Sequence, residues 1–152
     1  MNFPVGLVVS KGQLPNDFSA LAGQLNSKRF SGYVIQSVKS HYIEEGTLFF
    51  REGEAVACVA ECLALGRTVK GKEAFDFFLN QTKGMGFFQA VELTRSQVDL
   101  VTAFDEKLLL GDKINLKDLP KLIPIAFSGK FEPEARGADL LESYGLGELG
   151  KN

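Results

Sequence analysis

The chain reads as an α+β domain: an antiparallel sheet of about five strands around a central β-hairpin, packed by about three helices. Three observations predict this. Two apolar runs flank the polar, glycine-bearing pair Glu52-Gly53, which is a strong hairpin signal. Apolar residues then repeat at helical spacing in three separate places. Their order with the strands (strand, helix, three strands, helix, strand, helix) suits a sheet built from hairpins and covered by helices rather than a parallel βαβ array.

Along the chain, residues 4–10 form an apolar run bounded by Lys11-Gly12 and read as a short strand. Asn16 or Asp17 is placed to cap a helix to about residue 26, because Phe18, Leu21, Ala22 and Leu25 fall on one face. Residues 33–39 alternate as a strand, with Tyr33 and Ile35 on one side and Val34 and Val38 on the other. A two-residue turn at Glu52-Gly53 sets Arg51 opposite Glu54, Phe50 opposite Ala55, Phe49 opposite Val56 and Thr47 opposite Cys58. Residues 63–70 read as a connection.

Residues 71–82 read as a second helix, with Ala74, Phe75, Phe78 and Leu79 inward and Phe77 at an edge. Residues 87–93 return as a strand. Thr94-Arg95-Ser96-Gln97 has the capping-box form and opens a third helix expected to reach about residue 110. Residues 112–127, broken by Pro120 and Pro124, are limited to short helical turns. The composition turns polar from residue 128 to 137. The domain is therefore expected to span 1–127, followed over 128–152 by a linker and a short helix carrying Leu140, Leu141 and Tyr144.

Composition excludes more than it assigns. A chain of 152 residues buries roughly 70% of its unfolded surface, so neither a disulfide nor a metal is needed to hold it. The net charge of −2 argues against nucleic acid as the main partner, since phosphate binding wants a basic stripe. No apolar run is long enough to span a bilayer, and the basic flank of a signal peptide is missing, so the expected location is cytoplasmic, away from the membrane. Cys58 and Cys62, on a strand, would share a face about 13 Å apart, too far for a disulfide or one shared metal. They read as core residues. His41 has no nucleophile pattern beside it, and Glu44, Glu45, Glu52, Glu54 and Glu61 read as solvated residues around the hairpin. No catalytic residue, cofactor or metal is implied.

Gly66-Arg67-Thr68-Val69-Lys70-Gly71-Lys72-Glu73 has the glycine-lysine spacing of a phosphate-binding loop ahead of a helix. Glu73, however, stands where a hydroxyl must meet magnesium, and its carboxylate would repel phosphates. What survives is an anion site at Arg67, Lys70, Gly71 and Lys72 near the helix start. Phe49-Phe50 and Phe87-Phe88 load both sides of the sheet with rings, because neighbours on a strand point opposite ways. Something must cover the second side. The choices are the third helix with residues 112–127, the C-terminal helix, or a second chain.

From residue 17 to 93 the punctuation resembles the PATAN-type domain of bacterial response and motility regulators. The matching residues are Ser27-Lys28-Arg29-Phe30-Ser31-Gly32-Tyr33-Val34, the hairpin from Gly46 to Cys58 with Cys58 in a small-residue slot, Gly71-Lys72-Glu73-Ala74, and Gly86-Phe87-Phe88. The likeness departs at residues 63–70 and beyond Leu93. Uncharacterised archaeal proteins of similar layout are the alternative relatives. The PATAN resemblance implies a non-catalytic interaction module in signalling or motility control. The expected partner is another protein or a second copy, met through Phe50, Phe88, Leu140, Leu141 and Tyr144. A small phosphate-bearing ligand at the basic loop is the alternative.

Overall fold

The computed structural model describes residues 3–128 and residue 131. Its seven strands form one antiparallel sheet. They are β1 (Leu7–Leu14), β2 (Gly32–Lys39), β3 (Ile43–Arg51), β4 (Glu54–Cys62), β5 (Arg67–Lys70), β6 (Met85–Glu92) and β7 (Leu109–Asn115). The order across the sheet is β1-β6-β2-β3-β4-β5, and β7 also pairs with β4. Helices α1 (Phe18–Ser27) and α2 (Lys72–Gln81) lie on one side, and α3 (Arg95–Phe104) lies on the other. The fold class read from the sequence holds, with two more strands than expected.

The hairpin β3–β4 turns on Glu52 and Gly53, both at positive φ (49° and 82°), as a two-residue turn matched to strand twist requires. Its backbone is tied down: Gly53 N–H donates to Phe30 O at 2.9 Å, and Leu116 N–H donates to Gly53 O at 2.9 Å. Arg51 faces Glu54 and Phe50 faces Ala55 as expected, but the register then slips. Phe49 stands opposite Ala57, Leu48 opposite Cys58, and Thr47 opposite Val59. Val56 is the extra residue of a β-bulge, and the ladder to β7 breaks at the same place. The bulge lets Val56 and Ala57 both join the cluster on the α3 side.

Three other expectations need correction. β1 does not stop at Lys11-Gly12 but runs through it, because a Cβ at Gly12 would lie 2.5 Å from Phe88 Cζ and only glycine lets that ring approach. Residues 63–70 are more than a connection: after one 3₁₀ turn (Leu63–Leu65), β5 pairs with β4 from Val59 to Cys62. α3 ends at Phe104, and the leucine run that looked helical becomes a 3₁₀ turn (Glu106–Leu108) leading into β7. The short helical turns expected before residue 127 are present as one 3₁₀ segment, Leu116–Leu122.

Both faces of the sheet are oily; the α1–α2 face is buried along β2, β3 and β4 and at Phe88 of β6, whereas the α3 face is covered only in part, and Phe87 on β6 remains 59% exposed. The larger core joins Val34, Val38, Leu48, Phe50, Cys58 and Cys62 to the inner sides of α1 and α2. On the opposite side Phe49, Ala57, Val59 and Leu108 form one cluster with Phe3, Tyr33 and Val101, and Val91, Leu93 and Val98 form another. Phe77 is buried, not at an edge, because the Phe131 ring packs on it at 4.9 Å. Asn80 also pairs with the backbone of Ser128 in both directions, through Nδ2 to the carbonyl and through Oδ1 from the N–H. Ser128 and Phe131 are thus anchored to α2, although the expected linker begins at residue 128.

Candidate functional site

α3 carries two apolar stripes. Val98 and Val101 turn toward the sheet, while Leu100 and Phe104, four residues apart, share the outer flank. The helix buries its smaller side chains and leaves the larger ones in water: Leu100 is 54% exposed and Phe104 82% exposed. Together with Phe3, Pro4, Val101 and Leu108 they line an apolar groove of about 540 Å³. The capping box locates this helix in the sequence without fixing its faces, yet the i, i+4 spacing of Leu100 and Phe104 is legible there.

Local chemistry sets the position of this helix. Thr94 and Gln97 form a complete capping box, in which Gln97 N–H donates to Thr94 Oγ1 at 3.1 Å and Thr94 N–H to Gln97 Oε1 at 2.9 Å. Ion pairs then bracket α3. Arg95 meets Glu52 at 2.9 Å, Arg51 meets Asp99 at 2.8 Å, and Lys70 meets Asp105 at 2.6 Å beyond the helix end. The hydrogen bond and charge of Asp99 raise the Arg51 guanidinium pKa above its usual value. The hydrogen bond from Lys70 holds Asp105 below its usual carboxyl value.

The residues expected to bind are placed as follows. Phe50 is 1% exposed and packs on Phe30, with ring centres 5.9 Å apart; Phe88 is 2% exposed and packs on Phe18 at 6.4 Å. A partner could reach either ring only by opening the core. Leu140, Leu141 and Tyr144 lie outside the described residues.

The residues of the basic loop are divided between the two faces of the sheet. Arg67 stands opposite Cys62 and its guanidinium sits 5.2 Å over the Phe131 ring, on the α2 side. Lys70 stands opposite Val59 and is committed to Asp105 on the α3 side. Gly71 N–H donates to Cys58 O at 3.0 Å, and a Cβ at Gly71 would lie 2.8 Å from Lys107 O and 3.1 Å from Leu109 O, so only glycine fits here. Arg67 and Lys72 are exposed and Lys70 is half-buried, with Glu73 beside Lys72.

Of the glutamates around the hairpin, Glu44 is not solvated: it is fully buried, as are Gln36 and Gln81. Burial raises the Glu44 pKa, and hydrogen bonding from Ser40 and Gln81 pulls it partly back. Cys58 and Cys62 are free and buried, and burial pushes the Cys58 thiol well up, the opposite of an activated nucleophile. His41 is exposed in the turn before β3. Among the described residues no group of three or more His, Cys, Asp or Glu is arranged to hold a metal, and no helix is long and apolar enough to cross a membrane.

No curated protein and no solved structure matches the chain. Nothing in these comparisons supports the PATAN-type likeness, whereas the archaeal alternative has direct support. A family model described as "Uncharacterized protein conserved in archaea (DUF2226)" matches residues 1–104, from before β1 to the end of α3, and the chain belongs to that family.

Proposed function

We propose that this chain is a non-catalytic binding module that takes another protein on the α3 side of its sheet. The reading rests on one observation: Leu100 and Phe104 stand exposed side by side along a groove floored by apolar residues. Burying one such phenylalanine contributes on the order of 1.5–3 kcal/mol, which the described residues leave unused. Rings and leucines exposed together mark interaction surfaces more often than isolated ones do. The PATAN-type punctuation of residues 17–93 adds a role in signalling or motility regulation to the proposal.

The test is capture from a lysate of the native organism with two baits, the wild type and the double variant Leu100→Asp/Phe104→Asp. A protein retained by the first, lost by the second, and then bound by purified wild type supports the reading. Equal retention by both baits overturns it. So does a double variant that binds the purified partner as tightly as wild type. Concentration-dependent light scattering adds the second copy as an outcome: a dimer abolished by the double variant makes the partner this same chain.

A further inference from the structure

Gln36 on β2, Glu44 on β3 and Gln81 on α2 are sealed between the sheet and α2, each fully buried. They converge on one spot. Gln36 stands opposite Gly46, which lies two residues along β3 from Glu44 and so on the same face. The Gln81 side chain occupies the space above that glycine, where a Cβ would come within 2.0 Å of Gln81 Oε1.

Few of their polar atoms are matched. Gln36 Nε2 donates to Phe78 O at 3.1 Å, and Ser40 Oγ donates to Glu44 Oε2 at 2.8 Å. Among the described residues Gln36 Oε1, Glu44 Oε1 and both amide atoms of Gln81 have no partner within ordinary hydrogen-bond distance and angle, although the Gln81 amide is close enough to Glu44 to favour its charged form. A buried polar group left unpaired costs about 1–3 kcal/mol, and folded proteins leave few of them. The Gln81 amide N–H has the Glu44 carboxylate as its acceptor at hand, and the three oxygens that remain call for something that satisfies them together.

The unmatched set is dominated by oxygen acceptors: a carboxylate oxygen and two amide carbonyls, beside the negative C-terminal end of α2. Oxygen donors suit hard cations rather than zinc or copper. The formal charge of the set is −1. One positive charge balances it, while a divalent ion would leave an uncompensated charge in the interior, which is expensive. We propose that Glu44, Gln36 and Gln81 bind one monovalent metal cation, sodium or potassium, as an internal ligand of the fold, with Ser40 fixing the carboxylate.

The test is thermal melting of the full chain in choline chloride, with sodium, potassium, magnesium or calcium chloride substituted at constant ionic strength. The expected result is a saturable rise in Tm with sodium or potassium, because a ligand of the native state stabilises it in proportion to ln(1 + [L]/Kd). Glu44→Gln, which keeps the shape and removes the charge, abolishes the rise, and Gln81→Leu weakens it. ²³Na line broadening that wild type produces and Glu44→Gln does not is the second readout. The proposal is overturned if no alkali cation gives a saturable rise, if wild type and Glu44→Gln respond alike, or if only the divalent salts act. A crystal structure grown in saturating sodium or potassium with only water at hydrogen-bonding distance in this centre overturns it equally.

Discussion

Burial and hydrogen bonding pull the Glu44 carboxyl in opposite directions, and burial wins, so the folded protein holds this proton to a higher pH than the unfolded chain does. The sign follows from proton binding. A folded pKa above the ordinary value contributes stability that is complete below that ordinary value and is lost as the pH rises through the folded one. In cation-free choline buffer the Tm of wild type should therefore fall relative to Glu44→Gln as the pH climbs above the ordinary carboxyl range; parallel curves for the two proteins would show that this carboxyl does not titrate on unfolding. Cys58 tests burial independently. With its thiol pushed up and both cysteines enclosed, a thiol reagent should label neither Cys58 nor Cys62 in the native protein and both in concentrated urea. The side of the sheet taken by Glu44 was legible in principle, since Glu44, Gly46, Leu48 and Phe50 alternate along β3 and share a face. Residue type hid it, because glutamate beside a turn is usually solvated.

At the scale of elements, what the sequence revealed depended on how far each signal was local. The hairpin turn, the capping box and the buried stripe of α2 are each written within a few residues, and the structure has all three. β5 and β7 owe their existence to β4, which offers them an edge; a four-residue strand and a leucine-glycine run carry too little pattern of their own. The bulge at Val56 is likewise a property of the pair of strands. Two substitutions measure the local signals. Gly53→Ala forces a side chain to φ 82° and should cost about 1–2 kcal/mol, read as a lower urea midpoint with an unchanged slope. Thr94→Ala removes the cap of α3 and should cost about 1 kcal/mol. The ion pairs that bracket α3 are too exposed to compensate, each contributing about 0–1 kcal/mol, so the variant should also become more sensitive to salt.

For the whole molecule, the sheet divides the apolar side chains into those that hold the fold and those left free to meet something else. On the α1–α2 side Phe50 and Phe88 are consumed by the core, so their size serves stability: Phe50→Ala should cost about 3–5 kcal/mol and lower the Tm accordingly. On the α3 side the division runs through a single helix, with Val98 and Val101 holding it down and Leu100 and Phe104 turned outward. The outward pair contributes little to the core, so Leu100→Asp/Phe104→Asp should lower stability by only about 1–2 kcal/mol, most of it from placing two carboxylates toward the C-terminal end of α3. The variant's main effect should appear in association, as loss of a bound partner or of a dimer by light scattering. A double variant that loses much more stability than this would mean that these side chains belong to the fold and that the groove beside Phe3 is part of its packing. A small loss of stability with lost association would separate the two roles on one helix, which burial within a single chain cannot do.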